Sequence, residues 1–173
     1  MSTLALALAP AFGACGGGSA GHQPDSAFVA MQARGQRVMG VDQYASAHVF
    51  ENLADGGRVM LDVDDSSDTA SIAAIRQHMR DIAAAFRAGD FAKPFQVHAH
   101  VVPGTSVMAA RRINIAYEAT DRPRGAEVRI RTTDLVAVGA IHAFLAFQRT
   151  EHHAAGYEGV NRSPARRSSS AVR

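Results

Sequence analysis

The feature that most limits what this chain can fold into is an order of local signals that occurs twice. Tyr44 to Glu51 reads as a strand, Ala54-Asp55-Gly56-Gly57 as a hairpin turn, and Arg58 to Asp64 as the return strand. Asp-Gly between alternating segments favours a tight hairpin, because glycine accepts the positive φ that such turns need. Val59, Leu61 and Val63 alternate with Met60, Asp62 and Asp64, which gives the return strand one apolar face. Ser66, Ser67 and Asp68 then supply N-cap candidates for a helix predicted from about Thr69 to Ala88, closed by Gly89. Ile72, Ile75, Met79, Ile82 and Phe86 fall on one stripe of that helix.

The second half runs through the same order. Ile113, Ile115 and Tyr117 alternate along a strand, Asp121-Arg122-Pro123-Arg124-Gly125 turns, and Val128 and Ile130 alternate with Glu127, Arg129 and Arg131. Thr133 and Asp134 cap a helix whose stripe is Val138, Ile141, Leu145 and Gln148, flanked by Phe144. Gly57 is matched with Gly125 and Asp68 with Asp134, an offset of about 66 to 68 residues. A ββα unit cannot bury both its sheet face and its helix stripe alone, so the two should pack together. The predicted fold class is α+β: two ββα repeats forming a mostly antiparallel sheet of four or five strands, covered by two helices. Residues 90–110 join the halves, loop-like at Pro94, Pro103 and Gly104, with a short strand expected at Val97 to Val102.

Outside this domain, placed at residues 34–153, the chain changes character. Residues 1–14 are apolar and small, like the core of a signal peptide, and Cys15, the only cysteine, follows at once. Gly13-Ala14-Cys15 resembles the end of a bacterial lipobox, with Phe12 where Leu is usual; the expectation is export, with lipid attached at Cys15 and a periplasmic or membrane-tethered location. A lone cysteine permits no disulfide within one chain. Residues 15–33, opening on Gly16-Gly17-Gly18, read as a flexible linker, and residues 154–173 as a disordered tail. With 18 Lys and Arg against 16 Asp and Glu, the net charge of +2 argues against a nucleic-acid partner.

Enzyme signatures are mostly missing: there is no Gly-x-Ser-x-Gly, no Gly-x-x-x-x-Gly-Lys and no His-Glu-x-x-His. Asp62, Asp64, Asp65 and Asp68 lack the glycine and distal glutamate of a calcium loop and fit a solvated cap region. Histidine remains. His98-Ala99-His100 would place two imidazoles on one strand face, roughly 6.5 Å apart at Cα, within reach of one metal ion; one ring in solvent and one on backbone explains the pair equally well. His78 lies at the edge of the first helix stripe, where it can approach the 90–110 segment or sit as a satisfied boundary residue. His48 shares strand parity with Tyr44 and Phe50, so it needs a partner if it faces inward. His142 edges the second stripe, and His152 and His153 suit the C-terminal end of its helix dipole. Among the methionines, Met79 reads as core, while Met108 is freer to act as a soft ligand.

Several of these segments resemble a group of small exported bacterial proteins without an assigned activity. The likeness is carried by Ala-His-Val-Phe (Ala47 to Phe50), Asp-Gly-Gly at the turn, Ile-Arg-x-His-Met (Ile75 to Met79) and Ala-Ala-Phe-x-x-Gly-Asp-Phe (Ala84 to Phe91). It continues through Val97-His98, Val-Pro-Gly (Val102 to Gly104) and Ala-Ile-His-Ala-Phe, and spans about Arg34 to His153. His- and Met-rich leaders in that group imply metal handling; this chain keeps His22 there. Some members carry an aspartate carbamoyltransferase label, but that enzyme's Ser-Thr-Arg-Thr loop and His-Pro-x-Gln segment do not occur here.

Together these readings lead to an exported, lipid-anchored domain that binds a transition-metal ion, with copper favoured. The expected ligands are His98 and His100, with His78 and either His48 or Met108 completing the sphere. The competing expectation is a non-metal interaction or small-ligand module whose histidines are structural.

Overall fold

A computed structural model describes residues 26–40 and 42–154. The signal-like segment, Cys15, the first part of the linker and residues 155–173 lie outside the described residues. In chain order the elements are α1 (Ser26–Met39), a 3₁₀ turn (Gln43–Ala45), β1 (Ser46–Leu53), β2 (Gly56–Val63), α2 (Thr69–Ala88), α3 (Ala92–His98) and α4 (Thr105–Ala110). A second 3₁₀ turn (Arg112–Asn114), β3 (Ala116–Arg122), β4 (Gly125–Arg131) and α5 (Leu135–Glu151) complete the domain.

The fold is α+β, with one four-stranded antiparallel sheet in the order β1-β2-β4-β3. Both hairpins close through two-residue loops, pairing Leu53 with Gly56 and Arg122 with Gly125. The register therefore matches Gly56, not Gly57, with Gly125. The central strands β2 and β4 pair with Val59 opposite Val128. Helix α2 is capped by Asp68, whose side chain accepts from the Ser71 amide, and ends at Gly89 in the left-handed region, φ 82°. Asp134 caps α5 in the same way, accepting from the Val136 and Ala137 amides.

Each long helix lies across the other half of the chain: α2 packs on β3 and β4, and α5 on β1 and β2. Ile75, Met79 and Phe86 from α2 meet Ile141, Phe144 and Leu145 from α5 over Leu61, Tyr117, Val128 and Ile130 of the sheet. The opposite sheet face is built from ion pairs, including Arg58 with Glu51, Arg122 with Asp62 at 2.8 Å, and Arg131 with Glu118 at 2.6 Å. Last-turn arginines reach the edge strands: Arg87 donates to Tyr117 O of β3 (2.7 Å), and Arg149 to Phe50 O of β1 (2.7 Å).

Three expectations are corrected. Residues 26–33 are not linker but the first turns of α1. This helix packs on α3 and presents Met31, Gln32 and Gly35 inward. A Cβ on Gly35 would lie 1.3 Å from Gln43 Nε2 and displace that carboxamide, which donates to Gln32 O at 3.3 Å. The strand expected at Val97 to Val102 is replaced by the end of α3, where Ala99 takes φ 61° and reverses the chain. Pro94 sits in the first turn of α3, where its missing N–H costs no helical bond. The third strand opens at Ala116, so Ile113 projects from the preceding 3₁₀ turn and is 87% exposed.

Candidate functional site

The gap between α1, α3, the C-terminal end of α5 and the β1–β2 end of the sheet is a cavity of about 90 Å³. Its wall is mostly apolar, with Val38, Phe50, Leu61, Ile82, Val97 and Phe144, and four histidines share it: His48, His78, His98 and His152. Each comes from a different element. His48 stands on β1 with the inward parity of Phe50, His78 on the edge of α2, His98 at the last position of α3 and His152 at the C-cap of α5.

His98 is 4% exposed. Its Nε2 lies 3.0 Å from Gln148 Oε1. A carboxamide oxygen only accepts, so Nε2 carries the proton and Nδ1 is left with its lone pair. Among the described residues Nδ1 has no hydrogen-bond partner, and it lies 3.7 Å from Glu151 Oε2. His48 Nε2 and His152 Nδ1 are also buried without a partner. The His152 ring centroid is 5.1 Å from that of His48 and 5.1 Å from that of His98. Three imidazoles on one ion, with nitrogen–metal bonds near 2 Å, would have centroids roughly 5 Å apart. Two of the three ring pairs have that spacing, but His48 and His152 are stacked within 18° of parallel and the nitrogens do not converge. Among the described residues no three His, Cys, Asp or Glu side chains are placed to hold a metal ion.

All four rings are held neutral at pH 7. Burial, followed by repulsion from His78, lowers His48 to about 4. Burial and then the Lys93 ammonium lower His78 to about 4, with Asp81 opposing. His152 is pushed to about 3, first by burial and then by His48, His98 and His153. His98 is lowered by burial, against the opposing pull of Gln148 and Glu151. A neutral ring offers a lone pair, so the cluster can accept a cation or hydrogen-bond donors.

Of the residues singled out in the sequence, His98, His78 and His48 meet at this cavity and the other two do not. His100 is exposed beyond the left-handed Ala99, with its ring 6.1 Å from that of His98 and packed on Phe147 at 5.3 Å. Met108 is fully buried on the inward face of α4 and is not among the described residues that line the cavity. Met79, read as core, does line the cavity, as does Met39. His152 was passed over as a dipole-favouring C-cap. The spacing Ile141, Leu145, Gln148, His152 extends the inward stripe of α5 by one turn and would have found it. His142 is structural: its Nε2 lies 2.9 Å from both Leu53 O and Gly56 O, where it ties α5 to the first hairpin. No protein-family model, curated protein or solved structure matches this chain.

Proposed function

We propose that this domain binds a transition-metal ion, copper being favoured, through His48, His98 and His152, with His78 at the edge of the site. One observation carries the reading: three buried imidazole nitrogens without partners among the described residues are gathered in a single cavity. Burying a polar nitrogen unpaired costs on the order of 1–3 kcal/mol, so three in one place call for a ligand. The ligand set differs from the one read in the sequence, with His152 taking the place of His100 and Met108. Binding requires the rings to turn about their side-chain torsions until their nitrogens converge. The apolar leader and Cys15, with the resemblance to small exported proteins, support export and lipid attachment, where such a domain would meet copper.

Titration of the full chain carrying Cys15→Ser with Cu(I) under argon tests the metal reading. One ion per chain is expected, lost when His48, His98 and His152 are all changed to Phe. Binding that survives those changes, or no binding at all, refutes it. Mass spectrometry of the membrane fraction tests the anchor, which predicts an acylated Cys15 at the mature N-terminus. A second reading has its own support: the cavity is roomier than a bare ion needs and its wall is mostly apolar. A small apolar molecule with a donor group directed at one imidazole would also fill it.

A further inference from the structure

Resting on the metal reading above, we infer that the cavity selects a soft monovalent cation, Cu(I) or Ag(I), and rejects Zn(II) and Cu(II). The first argument is charge. Taking an ion out of water costs more steeply as its charge grows, and only nearby opposite charge offsets that cost. Among the described residues the cavity wall contains no Asp or Glu, and its one ionised residue is Lys93, a cation. Lys93 is answered by Asp81 at 3.8 Å. Glu151, 3.7 Å from His98 Nδ1, is the carboxylate set against the histidine cluster. One carboxylate neutralises one positive charge. A divalent ion would leave a full unit of charge uncompensated in an apolar enclosure that already faces an ammonium group.

The second argument is donor type. Besides the imidazoles, the wall supplies two thioethers, from Met79 and Met39, and Met79 is 3% exposed. Neutral sulfur is a poor ligand for hard or strongly hydrated divalent ions and a good one for Cu(I). A set of neutral nitrogen and sulfur donors, without thiolate and with a single carboxylate at its edge, matches a low-charge, polarisable ion.

The test uses the full chain with Cys15→Ser, which removes a thiolate that would capture the same ions. Cu(I), Ag(I), Cu(II) and Zn(II) are measured by competition with chelators of known affinity, anaerobically for Cu(I). Each ion is compared between that protein, His152→Phe, which keeps a ring but removes both nitrogens, and Met79→Leu, a near volume-conserving change. Expected is one Cu(I) or Ag(I) per chain, weakened by about tenfold or more (1.4 kcal/mol) in both variants. Zn(II) and Cu(II), held only by exposed histidines, should be indifferent to both changes. A comparable loss of Zn(II) or Cu(II) affinity in His152→Phe overturns the selectivity while leaving the metal reading intact. If no ion responds to His152→Phe, the metal reading falls with it.

Discussion

Acidification should destabilise this domain well before its carboxylates begin to titrate. His48, His78 and His152 have native pKa values of about 4, 4 and 3 against an ordinary value of 6.5. A base whose native pKa is depressed binds its proton more readily in the unfolded chain, so stability falls as pH drops through 6.5 and keeps falling until the native rings themselves protonate. Between pH 7.5 and 5.5 the native rings stay neutral while their unfolded counterparts go from mostly neutral to mostly charged. Linkage then gives about 1.3 kcal/mol per histidine, or roughly 4 kcal/mol for the three. Their mutual repulsion does not enter this sum, because none is yet charged in the folded state. Asp55, Asp65, Asp68 and Asp134 have lowered values and contribute stability that is lost as pH falls from the ordinary carboxylate value through their lowered native ones, outside the window. Urea unfolding at pH 7.5, 6.5 and 5.5 is the assay, with a His48→Phe, His78→Phe, His152→Phe chain as control. The parent should lose roughly 4 kcal/mol, a large share of a typical 5–15 kcal/mol domain stability, and the triple variant much less. A parent midpoint that does not move between pH 7.5 and 5.5 would refute the burial of these rings.

Three further outcomes follow from single atoms. Tyr117 is 3% exposed and its hydroxyl has no partner among the described residues, so Tyr117→Phe should be neutral or stabilise by about 1 kcal/mol in thermal unfolding. Gly104 has φ 83°, and a Cβ there would lie 2.1 Å from Ala140 O. Gly104→Ala should cost roughly 2–4 kcal/mol by denaturant titration, since α4 must lift away from α5. Gln148→Leu removes the acceptor that holds His98 in its Nε2–H form; ¹⁵N NMR of the ring should show that tautomer in the parent and a mixture in the variant.

What could be read from the sequence was what local chemistry decides. The Asp68 cap, the length of α2 and its Gly89 stop all follow from neighbouring residues, as does the Asp134 cap of α5. Helix α1 was illegible because its inward positions hold Gln32 and Gly35, which break the apolar stripe that marks a helix. Helix α3 was hidden by Pro94, which reads as a loop signal unless it is known to fall in a first turn. The cavity was hardest, because its histidines come from four elements and only the packing of α1, α3 and α5 brings them together. His152 illustrates the limit: as a terminal residue it looks solvated, and only the docking of α3, which ends at His98, sets a second ring 5.1 Å from it.

The crossing of the two long helices also governs how the molecule can be assembled. With α2 lying on β3 and β4, and α5 on β1 and β2, neither hairpin is covered by the helix that follows it in sequence. Hairpins can form locally and early, but each core waits for contacts between distant parts of the chain, the kind of topology that slows folding. Half-chains cut in the 89–115 connection would each display an uncovered sheet and an unplaced helix, and should fold only when mixed. The same connection, if it opens, allows two molecules to exchange halves while keeping the contacts between β1–β2 and α5 and between β3–β4 and α2, so concentrated refolding favours an interlocked dimer.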